Sequence, residues 1–397
     1  MNYTTESSKY YNYIKTYFLL LFLFSAPFFT NYLFLKNAGE FLSTQEIFSL
    51  QNNSTYKDVI YGSAIFNSVT ELKLYSIKVK KPKIISFGSS RVLQFRESFF
   101  SKPFYNFGYT ASSIHDALDI SYLMLKSHYP EIILLGIDFW WFNENIHKHD
   151  YDLSIQRTTN KINPSHIILP FKWLYNKKIT IRDYIQFSNL LKKPNIGIRG
   201  KFKQSGISSD GSNYYTDVIT GQTTEYSDVN FNDTRSAIKI GSSYFKNAPV
   251  ASTLHFQKFL ELIKLFNDKG IKIILFIPPI APTVNEEMKK HDYSYIKDLK
   301  DKFQKHEIRV YDFTEPTKLL ATNDCEFIDG FHGGDILYAK ILDYISTKEP
   351  ILKEYINQNY LKNIISEYSG LAMIPNKNIT SKKEIDFLCI GCNKNIE

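Results

Sequence analysis

A serine, a histidine and an aspartate occupy positions in this sequence where they could carry out acyl transfer. Ser90 follows a short apolar run in KIISFGSSRVLQF, and Asp329 and His332 lie in FIDGFHGGD near the other end of the chain. A serine hydroxyl becomes a nucleophile when a nearby histidine accepts its proton and a carboxylate orients that histidine. Because a tight turn brings side chains three residues apart together, Asp329 can orient His332. Ser90, His332 and Asp329 are therefore candidate catalytic residues.

Each of these residues also has a structural interpretation. Serine is a preferred residue at the start of a helix, so Ser90 could be a cap. Asp329 could cap the helix that follows it, and His332 could be a turn or packing residue. Gly108, whose backbone N–H is a candidate oxyanion donor together with that of Ser90, could only permit a turn. The catalytic interpretation depends on a fold that brings these separate parts together.

The apolar patterns predict five strands that alternate with helices. The predicted strands are residues 83–87, 104–108, 131–139, 271–279 and 308–313, and the predicted helices are residues 112–130, 253–270, 285–306 and 335–346. Strands that alternate with helices form parallel sheets through right-handed crossovers. We predict a three-layer α/β domain interrupted by one insertion.

Ligands of open parallel sheets bind beyond the carboxyl ends of the strands. In chain order the predicted strands are followed by GSSR (88–91), NFGYTASS (106–113), GIDFWWFN (136–143), PPIAP (278–282) and a loop that reaches FIDGFHGGD (327–335). Hydroxyl, amide, carboxylate and imidazole groups therefore collect at one edge of the predicted sheet. Ser90, Gly108, Asp329 and His332 are among them.

The segments GSSR, NFG, GID and DGFH resemble blocks I, II, III and V of the SGNH (GDSL-type) hydrolase superfamily, in the same chain order. The resemblance covers roughly residues 80–346, with the insertion excluded. It implies a three-layer α/β/α flavodoxin-like fold with a parallel five-stranded sheet. It also implies that Ser90 is the catalytic serine, that Gly108 is an oxyanion donor, and that Asp329 and His332 form the D-x-x-H pair.

Two of these segments depart from the SGNH pattern. Asp138 and Phe139 stand where the esterases carry Asn and Asp in block III, and Ser89 stands where block I usually has Asp. An ionised Asp138 would repel the negative charge that an oxyanion hole must stabilise. We expect Asn143 to supply the missing amide if its loop folds back; otherwise backbone N–H groups must suffice.

Four consecutive aromatic residues, FWWF (139–142), follow the third predicted strand. Trp140 and Trp141 could stack on a sugar ring or could cover an edge of the core. We assign both tryptophans, together with Arg91 and Asp138, to substrate binding. The histidines at 147 and 149 are expected in a solvated loop rather than a metal site, and we expect neither a metal nor a cofactor.

The N-terminal region contains a candidate membrane anchor. Lys9 and Lys15 precede residues 16–35, which carry no charge and have about the ~20-residue length of a transmembrane helix. Pro27 and Asn31 weaken this pattern, and a cleaved signal peptide is the main alternative, although no clean cleavage site precedes Lys36. Basic residues on the N-terminal flank favour an orientation that places the rest of the chain outside the cytoplasm.

The chain divides into six predicted parts. These are an anchor (1–36), a connecting segment (37–80), the first part of the SGNH-like domain (81–150), an insertion (151–250), the second part of that domain (251–350) and a C-terminal extension (351–397). Long polar segments in compact proteins are usually functional or disordered. We therefore expect the insertion to form a cap or a substrate-facing surface.

Composition and charge exclude some classes of function. The chain has 397 residues, 43% of them hydrophobic and 22% charged, which indicates a globular protein with a sizeable core. We interpret its net charge of +8 as spread along the chain, which argues against nucleic-acid binding. A mild affinity for anionic surfaces or polymers is still compatible with this charge.

The chain has three cysteines: Cys325, Cys389 and Cys392. The last two form CIGC, which could be a local disulfide, a redox pair or half of a zinc site. No second pair has the spacing of metal ligands. We expect a structural or incidental cysteine pair.

These observations lead to one main hypothesis of function and two alternatives. The main hypothesis is a membrane-anchored, extracytoplasmic serine acyltransferase or esterase that acts on acyl groups of an envelope polysaccharide. The D-alanine transfer protein of teichoic acids and the alginate O-acetylation proteins are similar, and this resemblance implies a membrane-bound O-acyltransferase as partner. The alternatives are a non-catalytic glycan-binding or scaffold protein, and an esterase on the cytoplasmic side of the membrane.

Overall fold

A parallel five-stranded sheet forms the centre of the protein. The computed structural model describes residues 3–53, 58–65, 69–146, 162–222, 228–376 and 383–394. Its strands are β1 (Ile84–Phe87), β2 (Phe104–Phe107), β3 (Ile132–Gly136), β4 (Ser205–Ile207), β5 (Asn213–Tyr215), β6 (Lys272–Ile277) and β7 (Val310–Asp312). The sheet has the order β2-β1-β3-β6-β7, and β4 and β5 form a separate antiparallel pair. The α/β class and the five predicted parallel strands are therefore confirmed.

The first three strands are buried along their whole length. They read as continuous apolar runs because helices and loops cover both faces of a parallel sheet. In the register of the sheet, Ile85 of β1 lies between Tyr105 of β2 and Ile133 of β3. This register brings the carboxyl ends of β1, β2 and β3 to the same edge, where the chain continues into the candidate site.

Fourteen α-helices occur in the described part of the chain. They are α1 (Tyr3–Ala38), α2 (Thr44–Gln51), α3 (Val69–Lys80), α4 (Ile114–Leu125), α5 (Pro164–Tyr175), α6 (Ile181–Ile185), α7 (Gly197–Lys203), α8 (Thr216–Ile219), α9 (Asn232–Ile240), α10 (Thr253–Asn267), α11 (Pro282–Met288), α12 (Ser294–Lys305), α13 (Asp335–Lys348) and α14 (Gln358–Tyr368). Helices α4 and α10 pack against each other, as do α13 and α14.

Three of the predicted helices correspond to α4, α10 and α13, but the single helix predicted over residues 285–306 is wrong. Two helices, α11 and α12, occupy this region instead. Between them Tyr293 is buried and donates a hydrogen bond to the carbonyl oxygen of Phe245. The side chain of Asp292 also accepts a hydrogen bond from the N–H of Ser294, and such local bonds compete with a continuous helix.

The N-terminal helix α1 contains the one span, among the described residues, that is long and apolar enough to cross a membrane. Pro27 lies inside this helix without ending it. Residues 16–29 are almost entirely exposed, whereas Asn31 is buried. Asn31 donates to the carbonyl oxygen of Ile167 and accepts from the Tyr184 hydroxyl, so its amide is satisfied by protein.

The region predicted as an insertion packs partly against α1 and partly against the sheet. Its residues 164–203, here called the collar segment, pack around the C-terminal part of α1 through α5, α7 and the turn Phe187–Lys192. The following hairpin of β4 and β5 lies beside β2, where the carbonyl oxygen of Asp210 accepts from the N–H of Asn106. Much of the described part of this region therefore contacts the anchor helix. The remainder before it, residues 151–161, lies outside the described residues.

The C-terminal extension is joined to the domain by a disulfide between Cys325 and Cys392. Cys389 is an exposed free thiol. The local pairing considered for CIGC is therefore wrong, because Cys392 reaches a residue 67 positions away. The N–H of Ile374 also donates to the carboxylate of Asp335 at the start of α13.

Candidate active site

Ser90 begins a short 3-10 turn directly after β1. Gly88, just before it, has a φ of 150°, and a Cβ there would lie 2.7 Å from the carbonyl oxygen of Gly136, so the close approach of β1 and β3 requires glycine. The hydroxyl of Ser89 accepts a hydrogen bond from the N–H of Arg91. Ser89 is therefore the cap, and the hydroxyl of Ser90 remains available for another partner.

That partner is His332. Ser90 Oγ lies 2.8 Å from His332 Nε2, and His332 Nδ1 lies 2.7 Å from Asp329 Oδ2. Ser90 comes from the turn after β1, and Asp329 and His332 come from the loop before α13. Ser90 and His332 are 242 positions apart in the sequence. The structure thus brings together the three side chains that the sequence analysis selected, in the order hydroxyl, imidazole, carboxylate.

Asp329 is held as a carboxylate. Its Oδ1 accepts hydrogen bonds from the backbone N–H groups of Phe331 and His332, while its Oδ2 faces the imidazole. Burial raises the pKa of Asp329, but the His332 ring and these N–H groups outweigh burial, so its pKa lies below the ordinary value. An ionised Asp329 can fix the His332 tautomer that leaves Nε2 free to accept a proton from Ser90.

The loop that carries Asp329 and His332 is a closed turn. The N–H of Ile328 donates to the carbonyl oxygen of His332, and Phe327 forms an isolated bridge with Gly333. From outside the turn, the carboxylate of Asp228 accepts a hydrogen bond from the N–H of Gly330. These bonds hold the loop in the conformation that points the imidazole of His332 at Ser90.

The oxyanion donors differ from the prediction. Asn143 is fully buried, and its amide donates to the carbonyl oxygen of Lys246 at 2.6 Å while accepting from the N–H of Asn145. The expected role of Asn143 as a side-chain oxyanion donor is therefore wrong, because its loop turns toward residues 246–247 and away from Ser90.

Gly108 has the predicted position at the end of β2, but its N–H already has an acceptor, the side-chain oxygen of Asn106 at 2.9 Å. The N–H of Ser90 donates to no acceptor among the described residues. A Cβ at Gly108 would lie 2.7 Å from Val92 and 3.2 Å from the carbonyl oxygen of Ser89, so this approach requires glycine. Of the two predicted backbone donors, the N–H of Ser90 is therefore the one without an acceptor among the described residues.

A buried lysine holds the end of β2 in place. Lys73 of α3 donates to the carbonyl oxygens of Asn106, Gly108 and Gly211, at 3.0, 2.8 and 2.6 Å. Its side chain is completely buried, and burial lowers its pKa well below the ordinary value. The three carbonyl oxygens connect the Gly108 turn to the hairpin of β4 and β5. Nothing in the helical pattern of α3 distinguishes Lys73 from an exposed lysine.

The prediction that Arg91 and Asp138 bind substrate is wrong, because both side chains are fully buried in an ion pair of 2.8 Å. Arg91 also donates to the carbonyl oxygens of Phe331, Pro278 and Pro279. It therefore joins the loops after β1, β3 and β6 to the loop that carries His332. Burial raises the pKa of Asp138, and the Arg91 guanidinium opposes this rise.

Trp140 and Trp141 belong to the core, so their predicted role as a sugar platform is wrong. Their exposed fractions are only 2% and 1%. Trp140 donates its indole N–H to the carbonyl oxygen of Ser112 and stacks on Tyr244 at 4.5 Å. Trp141 belongs to the main buried cluster, and the turn that carries it contacts α10 and α12. The alternative in which the tryptophans cover an edge of the core describes both.

A cavity of about 360 Å³ lies beside the candidate catalytic turn and was not predicted. Its walls include Leu93, Tyr109, Tyr215 and Arg199. Tyr109 directly follows Gly108, has a left-handed φ of 66° and is 39% exposed. A non-glycine residue in this conformation is uncommon and is often functional. The one feature of the sequence that could have indicated this cavity is Tyr109 itself, which follows the candidate oxyanion glycine in NFGY.

No group of three or more His, Cys, Asp or Glu side chains in the described part of the chain is arranged to hold a metal ion. The predicted loop with histidines at 147 and 149 lies outside the described residues.

Comparison with known proteins identifies no family. No protein-family model matches this chain, and no curated protein matches it. A proposal of function therefore depends on the geometry of the site and on the resemblance of its short motifs.

Proposed function

We propose that this protein is a membrane-anchored serine acyltransferase or esterase of SGNH type that acts on O-acyl groups of an extracytoplasmic polysaccharide or envelope polymer. The observation that carries the proposal is the hydrogen-bonded series from Ser90 through His332 to Asp329, at 2.8 and 2.7 Å. A nucleophile, a base within reach and an acid that orients the base are the requirements for covalent acyl transfer.

The sheet topology supports the SGNH assignment. Counting only its own strands, the five-stranded sheet has the order 2-1-3-4-5, which is the order of flavodoxin-like doubly wound folds. Ser90 follows the first strand and Gly108 the second, while Asp329 and His332 follow the last. Because ligands of such sheets bind at the carboxyl ends of the strands, the candidate residues lie where a substrate is expected.

The proposed reaction has two steps. Ser90 Oγ attacks the carbonyl carbon of the donor ester while His332 Nε2 takes the hydroxyl proton, and His332 returns that proton to the departing donor alcohol. A hydroxyl of the acceptor, or water, then gives its proton to His332 and attacks the acyl-serine. The bond from the acyl carbon to Ser90 Oγ breaks, the acyl product leaves, and His332 returns the proton to Oγ, which restores Ser90. The Ser90 N–H faces the developing oxyanion, and Asp329 stabilises the imidazolium in both steps.

The anchor and the disulfide support an extracytoplasmic location. Lys9 and Lys15 flank the N-terminal side of the apolar span, which favours an N-terminus on the cytoplasmic side. The disulfide between Cys325 and Cys392 is typical of proteins in oxidising compartments. We further propose, from the resemblance to envelope-modifying SGNH-like proteins, that a membrane-bound O-acyltransferase supplies the acyl group.

Labelling with a fluorophosphonate probe tests the proposed nucleophile. Full-length protein in detergent should be labelled, and Ser90→Ala and His332→Ala should not be labelled. Ser89→Ala is the matched control, because Ser89 is the adjacent serine and its hydroxyl caps the turn by accepting the N–H of Arg91. Labelling that persists in Ser90→Ala, or that disappears equally in Ser89→Ala, would contradict the assignment.

A second function is favoured by the state of the oxyanion donors. The N–H of Gly108 donates to Asn106, and Asn143 donates to Lys246, so two of the three predicted donors have other partners. A non-catalytic glycan-binding or scaffold protein of the envelope would keep this fold although its oxyanion donors are occupied. In that case the folded protein takes no probe, and Ser90→Ala preserves its biological role in cells.

A further inference from the structure

The positive charge of the chain is concentrated in the collar segment. Residues 164–203 hold nine of the 48 Lys and Arg residues and one of the 40 Asp and Glu residues. The net charge of this segment, +8, therefore equals that of the whole chain, and the remaining residues carry 39 charges of each sign. The interpretation that the excess charge is spread along the chain is wrong.

The collar segment surrounds the end of the candidate membrane span. Phe34 of α1 packs against Tyr184 and Phe202 of the collar, and its neighbours Leu35 and Ala38 belong to the same buried cluster. Further toward the N-terminus, Phe28 contacts Phe171 edge to face. The collar therefore covers the last turns of α1.

The length of the uncharged part of α1 sets the level of the collar. Residues 16–35 carry no charge, and a helix of this length spans about 30 Å, the thickness of a hydrocarbon core. If residues 16–35 cross the hydrocarbon core, the collar, which contacts α1 from Phe28 to Ala38, reaches from inside the core to the level where acyl chains meet head groups.

The collar exposes apolar side chains among its lysines. Ile168, Ile181, Ile185 and Leu191 are between 40% and 69% exposed. Exposed aliphatic residues interspersed with lysine are typical of segments that lie in the membrane interface, where the aliphatic groups enter the acyl region and the amines contact phosphates.

A cavity of about 670 Å³ opens in this collar. Lys177, Lys178, Arg199 and Lys203 line it, together with the ring of Trp173. Asp217 is the one acid among the described lining residues, and its carboxylate already accepts from the Ser205 hydroxyl and the N–H of Val218. The cavity therefore has an excess of cationic groups and the size of a small-molecule site.

We propose that this cavity binds the phosphate-bearing head group of an anionic membrane lipid. Clusters of Lys and Arg beside a membrane helix recognise anionic head groups. A head group is the expected occupant because the cavity adjoins α1: Ile198, which lines it, belongs to the buried cluster of Phe34 and Leu35, and Phe202, which also lines it, packs against that cluster. The proposal requires α1 to lie in a membrane and is independent of catalysis at Ser90.

The lipid site lies next to the cavity beside the candidate catalytic turn. Ser63, Ala64 and Arg199 line both cavities. A lipid held by the collar would therefore fix the distance of the candidate active site from the membrane surface. Arg199 stands at the junction of the two spaces.

Trp173 provides a fluorescence readout for binding to the full-length protein in a maltoside detergent. Trp140 and Trp141, the other two tryptophans, are buried in the core. We expect a saturable change in emission on titration with dihexanoylphosphatidylglycerol, little change with the zwitterionic dihexanoylphosphatidylcholine, and no response in Trp173→Phe. Equal responses to the two lipids, or none to either, would overturn the proposal.

Two matched pairs of charge reversals locate the site. Lys177→Glu with Lys178→Glu changes the cavity, whereas Lys172→Glu with Lys192→Glu makes the same change of charge at exposed collar residues outside it. The first pair should weaken phosphatidylglycerol binding at least about tenfold, and the second pair much less. Equal weakening by both pairs would show diffuse attraction and contradict a defined site.

Three further measurements separate the remaining outcomes. If the glutamate pair at 177 and 178 does not fold, Lys177→Gln with Lys178→Gln should still weaken binding relative to the wild type. Ser90→Ala should bind phosphatidylglycerol normally, because the readout does not require turnover. Inorganic phosphate should compete poorly; full competition at equal concentration would assign the cavity to a soluble phosphate ligand and overturn the lipid assignment.

Discussion

Arg91 Nη1 lies 2.8 Å from Asp138 Oδ1, and both side chains are completely shielded from solvent. The same guanidinium donates to the carbonyl oxygen of Phe331, the residue before His332. Arg91 is therefore a positioning residue that connects the turn carrying Ser90 to the loop carrying the candidate base. Arg91 directly follows the candidate nucleophile Ser90 in GSSR, which is why the sequence pattern suggested that it binds substrate.

Replacing Arg91 with methionine should lower the free energy of unfolding by about 3–5 kcal/mol, because it leaves the Asp138 carboxylate buried without its ion-pair partner. Urea denaturation followed by circular dichroism measures this change. The double variant Arg91→Met with Asp138→Leu should recover part of the loss, since the unpaired charge is removed. A loss below about 1 kcal/mol in the single variant would contradict the role of the pair.

Asp329→Asn should slow fluorophosphonate labelling of Ser90 by about 10⁴-fold, the effect of the same change in serine–histidine–aspartate triads. In this variant the amide oxygen accepts the N–H groups of Phe331 and His332, so the NH2 group faces His332 Nδ1 and donates to it. The imidazole proton then moves to Nε2, and the tautomer with a basic Nε2 is lost. The pseudo-first-order labelling rate gives the measurement, with Ser89→Ala as the control for local disturbance. An unchanged rate in Asp329→Asn would remove Asp329 from the mechanism.

The lowered pKa of Asp329 predicts a stability difference that depends on pH. Because the folded pKa lies below the ordinary value of 3.8, the unfolded chain binds the proton more tightly than the folded chain. The stabilisation is fully present above pH 3.8 and disappears as the pH falls through the lower folded value. The difference in unfolding free energy between wild type and Asp329→Asn should therefore shrink in that acidic range; a constant difference would contradict the shift.

Lys73→Met should destabilise the turn that contains Gly108. The change removes the donor to the carbonyl oxygens of Asn106, Gly108 and Gly211, and each buried acceptor left without a partner costs about 1–3 kcal/mol. Hydrogen exchange of the amides near Gly108 should become faster, and Ser90 labelling should slow. Lys78→Met is the matched control, because Lys78 lies on the same helix and is exposed. Equal effects of the two variants would refute a specific role for Lys73.

Removing the disulfide should lower stability by about 4 kcal/mol in the loop-entropy model, since Cys325 and Cys392 are 67 residues apart. Cys325→Ser and Cys392→Ser should show the same loss in denaturant titrations, and a reducing agent should abolish the difference from wild type. Cys389→Ser should remain as stable as wild type, because Cys389 is an exposed free thiol. A loss in Cys389→Ser similar to that in Cys392→Ser would indicate that CIGC pairs locally.

The sequence by itself was sufficient for the five strands of the parallel sheet, for helices α4, α10 and α13, and for the three candidate catalytic side chains, whereas the hairpin of β4 and β5 was not predicted. Each of these depends on local information: continuous apolar runs for β1 to β3, periodic apolar positions for α4 and α10, and the i, i+3 spacing of Asp329 and His332. Residues at the ends of parallel strands meet at one edge for any sequence that forms this sheet. The approach of Ser90 to His332 was therefore predictable from chain order.

The tertiary structure alone decided the roles of residues whose environment comes from distant segments. Arg91 and Lys73 are charged residues that a sequence pattern would place in solvent or at a ligand, yet backbone carbonyl oxygens from other loops surround them in the interior. Asn143 turned toward Lys246, and Cys392 reached Cys325 instead of its near neighbour. Hydrogen bonds and disulfides form between groups that are close in space, and only the folded chain sets that proximity.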